Sequence, residues 1–196
     1  MNTEIVAKLR QSLTKTSLKD IAQDRRATTE ARSAFLLLDC SGSMAEHCEP
    51  SRPKITALRE LVDSLRAGGL IFTQVIFPGQ HWAAEIDNNI YDPCGGTPMH
   101  AALEVANIED AKHAVIISDG MPDDEGATKH AAAELKKKSV KIDVFYVGPY
   151  PHPGEKFLRS LATMTGGKFQ ATTLSTAQKL KLTEGVKTAL LTGPKR

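Results

Sequence analysis

The chain has 196 residues, enough for one domain with a sizeable core and too few for two ordinary ones. Its apolar fraction of 41% and charged fraction of 24% point to neither a disordered nor a membrane class, and no apolar run approaches the roughly 20 residues that a membrane helix needs. A net charge of +2 gives no strong pull toward nucleic acid or an anionic membrane, and three cysteines, an odd number, make no disulfide framework and fit a reducing compartment.

Along the chain, the first eight residues contain no apolar core of signal-peptide length, so a cytoplasmic location is expected. Ile5, Leu9 and Leu13 at four-residue spacing, then Leu18 and Ile21 at three, predict one or two short amphipathic helices in an extension over residues 1–32. That extension either packs on the domain or docks a partner. From residue 33 to residue 191 the pattern becomes strand, loop, helix, repeated, which argues for an α/β sheet with parallel strands; residues 192–196 form a tail.

Residues 33–38 read as a buried strand. A helix begins at Pro53, carries Ile55, Leu58, Val62 and Leu65 on one face and stops at Gly68-Gly69. Residues 70–77 predict a second buried strand, and residues 82–86 a short edge strand bounded by Asp87-Asn88-Asn89. Thr97 is placed to cap the next helix, with Pro98 in its first turn and Met99, Ala102, Leu103 and Ala106 facing the sheet. Strand, helix and strand follow at residues 114–118, 125–138 and 140–147. A proline-rich loop then leads to a helix over residues 155–165, a Gly166-Gly167 stop, a strand at 168–171 and a last helix to about Leu191. Lys136-Lys137-Lys138 is the only basic run and reads as a solvated helix end.

Asp39-Cys40-Ser41-Gly42-Ser43 follows the first strand directly. A carboxylate and two hydroxyls at alternate positions put three hard oxygens on one side of a turn. Alone such a run is common, because Asp or Ser after a strand usually serves a turn. Two further segments add weight: Gly95-Gly96-Thr97-Pro98 sets a threonine at a helix start, and Val115-Ile116-Ile117-Ser118-Asp119-Gly120 ends a second strand in an aspartate. A cluster of hydroxyls and carboxylates without an imidazole or thiolate suits magnesium first, with manganese or calcium also admissible.

In residue type, order and context, Asp39, Ser41, Ser43, Thr97 and Asp119 resemble the metal-ion-dependent adhesion site of the von Willebrand factor A-type domain, over roughly residues 33–191. The resemblance implies a three-layer, doubly wound, Rossmann-like fold whose mostly parallel sheet has one short antiparallel edge strand and helices on both faces. It implies that Asp39 and Asp119 end adjacent central strands. Ser41, Ser43 and, in a high-affinity state, Thr97 would ligate the ion directly, with Asp39 and Asp119 acting largely through water. Such an ion takes an Asp or Glu carboxylate from a protein partner. The resemblance is to stand-alone bacterial and phage members, which act as adaptors in larger assemblies, including complexes with AAA+ ATPases and stress-response systems. This sequence has no P-loop of its own.

The expectation is therefore a non-enzymatic interaction module. Two alternatives stay open: a metal-assisted hydrolase or phosphatase with Asp39 as nucleophile, although Ser41 stands where a second carboxylate would be needed, and a structural subunit that docks through its amino-terminal segment. Asp123-Asp124-Glu125 reads as a helix cap or as an acidic rim to the site. His47, Cys48 and Cys94 form either a zinc or redox cluster or an unrelated set of loop residues, and Cys40 should point into the core. His81, His100, His113, His130 and His152 are dispersed and read as structural or solvated.

Overall fold

The computed structural model describes residues 34–149 and 151–191. The helical extension expected over residues 1–32 and the tail at 192–196 lie outside the described residues. In chain order come β1 (Ala34–Asp39), a 3-10 turn (Gly42–Ala45), β2 (His47–Glu49), β3 (Arg52–Pro53), α1 (Lys54–Ala67), β4 (Thr73–Phe77), β5 (Glu85–Ile86), α2 (Met99–Ile108), β6 (His113–Ser118), α3 (Glu125–Lys137), β7 (Lys141–Tyr146), α4 (Pro153–Thr165), β8 (Phe169–Ala171) and α5 (Thr176–Leu191). Six strands form one sheet in the order β5-β4-β1-β6-β7-β8, and β2 pairs with β3 in a separate small hairpin. Every pairing in the large sheet is parallel except β4 with β5. This is the α/β sheet that the strand and helix alternation implies, with the one short antiparallel edge strand that the family resemblance implies.

The central strands are apolar on both faces because helices cover both. In β1, Phe35 and Leu37 join a core with Met99, Leu103, Leu135 and Leu158 from α2, α3 and α4. Leu36 and Leu38 join a second core with Leu58 and Leu61 of α1 and Leu182 and Val186 of α5. Alternation along a strand sends neighbouring side chains to opposite faces, so a run of four large apolar residues feeds two cores at once. Cys40 is buried in the second of these and faces away from the polar end of the strand, as the alternation predicts.

Several boundaries differ from the sequence reading for local reasons. Residues 70–72 stay outside β4, with Ile71 exposed. The hairpin β2–β3 is absent from the sequence expectation because residues 46–53 show no apolar alternation. α4 starts at Pro153, two residues early, since the His152 ring accepts from Gly154 N–H at 3.2 Å and Pro153 fits the first turn. Thr97 does not cap α2: Pro98 occupies the cap position, no side chain caps it, and Thr97 stands outside the helix.

Candidate metal centre

Chain order reverses between β1 and β6, since the chain leaves β1 toward β4 on one side and returns to β6 on the other. In an open parallel sheet that is where a crevice opens beyond the carboxyl ends of the strands. Leu38 pairs with Ile117, so Asp39 closes β1 level with Ser118 at the end of β6, and Asp119 is the next residue. Sheet register thus brings together two carboxylates that are 80 positions apart in the sequence numbering, 119 less 39.

Asp39 is fully buried, and both of its oxygens are held. Ser41 N–H donates to Oδ1 at 2.9 Å and the Ser118 hydroxyl donates to Oδ2 at 2.5 Å. Burial pushes its pKa up to about 6, against the pull of those bonds, with the nearby Asp119 adding to the rise. The Ser41 and Ser43 hydroxyls lie 3.1 Å apart, and Ser43 donates to Asp119 Oδ1 at 2.7 Å. Ser41, Ser43 and Asp119 are therefore one hydrogen-bonded chain of oxygens.

Thr97 reaches the same end of the sheet on its own loop. Gly42 N–H donates to Gly95 O at 3.1 Å and Cys94 N–H to Cys40 O at 3.0 Å, which ties the loop to the serine turn. Gly95 adopts φ +62°, a conformation glycine enters without strain. Thr97 is buried, its N–H donates to Asp123 Oδ1 at 2.8 Å, and among the described residues its hydroxyl makes no hydrogen bond.

Three further residues are built into the site: Ser118 and Lys54, which the sequence reading gave no role there, and Asp123, which it read only as part of a helix cap or an acidic rim. Ser118 holds Asp39. Asp123 holds the Thr97 loop, while its neighbour Asp124 does the capping, accepting from Ala127 N–H at 2.8 Å. Lys54, at the start of α1, sets its ammonium 2.6 Å from Asp119 Oδ2 and 2.7 Å from Glu46 Oε2. Burial works against that charge, but the bonds to Asp119 and Glu46 outweigh it and hold the pKa above the usual lysine range. A lysine in the first turn of a helix, where the dipole disfavours it, was the available signal that an anion waits nearby.

The zinc alternative finds no support. Cys48 Sγ donates to the carbonyls of Arg52 and Leu174, at 3.3 and 3.6 Å, Cys94 and His47 are exposed, and among the described residues no three His, Cys, Asp or Glu side chains gather as a ligand set. What does gather is hydroxyl and carboxylate oxygen, a donor set that fits a hard divalent cation.

The fold is that of the von Willebrand factor A-type domain. No protein-family model and no curated protein matches the sequence, but solved structures do. A von Willebrand factor type A protein from Catenulispora acidiphila aligns with TM-score 0.57 and 15% identity, over 82% of this chain and 42% of that one. The manganese-loaded TRAP protein of Plasmodium vivax aligns with TM-score 0.53 and 21% identity, over 79% and 74%. Proximal thread matrix protein 1 from the mussel byssus, with a zinc-occupied adhesion-site motif, aligns with TM-score 0.50 and 16% identity, over 81% and 46%. This chain spans less than half the length of the first and third of these. Among the described residues no helix is long and apolar enough to cross a membrane.

Proposed function

We propose that the chain is a divalent-cation-dependent protein-recognition module. Asp39, Ser41, Ser43, Thr97 and Asp119 hold a hard cation, magnesium by preference, and an Asp or Glu side chain of a protein partner completes its coordination. The bound ion supplies a Lewis-acidic point that a carboxylate can reach. The observation that supports this most is the hydrogen-bonded run Ser41–Ser43–Asp119 at the β1–β6 crevice, in a fold shared with a manganese-loaded and a zinc-occupied protein.

The chain's own residues divide the work. Ser118 and the Ser41 N–H fix Asp39 so that its charge stays at the floor of the site. The 3-10 turn over Gly42–Ala45 holds the serines in place, with Met44 buried beneath it as an anchor. Thr97 contributes a hydroxyl from a separate loop. An adaptor role in a cytoplasmic assembly, with an AAA+ ATPase or a stress-response complex as partner, is the setting that the sequence resemblance implies. The hydrolase alternative gains no support, because Asp39 as nucleophile would be fully buried with both oxygens engaged.

Affinity capture from native lysate tests the proposal, run in magnesium, in EDTA and with a Thr97→Ala bait. A protein retained only by the wild-type bait in magnesium supports metal-mediated recognition. A protein retained equally in all three moves the binding surface elsewhere on the domain.

A further inference from the structure

The site contains a cation of its own. Lys54 Nζ donates to Asp119 Oδ2 at 2.6 Å, to Glu46 Oε2 at 2.7 Å and to the Ser43 carbonyl at 3.5 Å, so its three protons have three acceptors, two of them on residues that also belong to the oxygen cluster. Asp119 is shared: one oxygen takes the Ser43 hydroxyl and the other takes the ammonium.

This is not a loose surface pair. The Lys54 side chain is only 8% exposed, whereas its second partner Glu46 is 67% exposed. Lys54 N–H donates to Glu46 O at 2.8 Å, and Pro53 before it fixes the entry to α1. Arg52, one residue further back, bonds Glu49, Glu60, Thr176 and the Leu174 carbonyl, which clamps the hairpin to α1 and to the start of α5. The ammonium is thus delivered to Asp119 by a braced segment, and from a helix start whose dipole works against a positive charge. Such a position needs a compensating anion, and Asp119 provides it.

Resting on the metal-site reading above, we propose that Lys54 is a built-in counter-ion that competes with the divalent cation for Asp119 and so sets the cation affinity of the site. A divalent ion among Ser41, Ser43 and Asp119 meets both a repelling charge and a carboxylate oxygen already taken. At a few ångströms in a partly buried site, repulsion of that kind is worth a factor of ten or more in affinity. Glu46 is the exposed partner that keeps the ammonium satisfied when Asp119 turns to the ion. The design holds the metal-free site together without metal, at the expense of tight metal binding.

The test is titration calorimetry of the full chain with Mn2+, on wild type, Lys54→Met and Lys54→Arg, with thermal melts of each in EDTA and in Mn2+. Lys54→Met should bind Mn2+ about tenfold tighter or more, the equivalent of about 1.4 kcal/mol. Its melting temperature should fall in EDTA, where two carboxylates lose their counter-ion, and rise more than that of wild type when Mn2+ is added. Lys54→Arg keeps the charge and should stay within about threefold of wild type. If wild type binds Mn2+ and Lys54→Met binds it equally or more weakly, the counter-ion role is overturned while the metal site stands. If Lys54→Arg tightens binding as much as Lys54→Met, charge is not the cause and the proposal also falls. If neither wild type nor Lys54→Met binds Mn2+, both readings fall together.

Discussion

Thr97 and Asp123 hold each other in both directions: Thr97 N–H donates to Asp123 Oδ1 at 2.8 Å, and Asp123 N–H donates to Thr97 O at 3.0 Å. The loop entering α2 and the loop leaving β6 are thereby one unit, although 26 residues separate the pair. Asp123 is exposed, so the bond is worth about 1 kcal/mol rather than the larger value of a buried one. Asp123→Ala should lower stability by about that amount and weaken Mn2+ binding through the Thr97 loop, while Asp123→Asn, which keeps the acceptor, should do less. Gly96→Ala should act like Asp123→Ala, because a Cβ on Gly96 would stand 2.5 Å from the Asp123 carboxylate oxygens. Urea denaturation checks all three, and equal midpoints would mean that the loops are positioned independently.

Ser118 is the second support to remove. Its hydroxyl donates to Asp39 Oδ2 at 2.5 Å inside a fully buried site, 79 residues away in sequence. Ser118→Ala leaves a buried carboxylate oxygen without its donor and should cost about 2 kcal/mol of stability, read from urea denaturation in EDTA. In an Asp39→Asn background the same substitution should be far milder, because the charge that needed the hydroxyl is gone. A double-mutant cycle with a coupling near zero would show that the hydroxyl does not serve Asp39.

At the opposite end of the sheet, Asp143 of β7 accepts from Lys168 N–H at 2.6 Å and pairs with His113 Nε2 at 3.1 Å. Burial raises its pKa, but the His113 and Lys168 hydrogen bonds outweigh burial and leave it below the usual aspartate value. A folded pKa below the unfolded one means that the unfolded chain binds the proton more readily, so this group stabilises above its unfolded pKa of about 3.9. That contribution is lost as pH falls through the lower folded value. Asp143→Asn should therefore cost stability at pH 7 and flatten the acid limb of the stability profile below about pH 4. A variant with the same acid limb as wild type would remove Asp143 as its cause.

How much of this was legible in the sequence follows from the range of each contact. Asp39, Ser41, Ser43 and Asp119 stand within a few residues of strand ends that apolar runs mark, and parallel register does the rest. Cys40 could be assigned to the core from alternation alone. The contacts of Lys54, Ser118 and Asp123 were not legible, because their partners lie 65, 79 and 26 residues away; the local signs, a lysine in a helix's first turn and an acidic run at Asp123, name no partner. Thr97 was misread as a cap for a local reason: Pro98 takes the cap position itself, so the threonine is left outside the helix with its hydroxyl uncommitted.

That uncommitted hydroxyl makes Thr97 the cleanest probe of the site. Ser43 donates to Asp119, Ser41 touches Ser43, and Asp39 is held on both oxygens, so replacing any of them disturbs the metal-free fold as well as any ion. Thr97→Val keeps the shape of a buried side chain and removes only an oxygen that has no protein partner among the described residues. Its urea midpoint in EDTA should match wild type to within about 0.5 kcal/mol. Mn2+ affinity should nonetheless fall by about tenfold or more, at the lower end of what loss of a group supporting a metal site costs. Thr97→Ser, which restores the hydroxyl, should recover most of that affinity. Calorimetry on the three proteins decides the matter: a Thr97→Val variant that binds Mn2+ as wild type does would take Thr97 out of the ligand set.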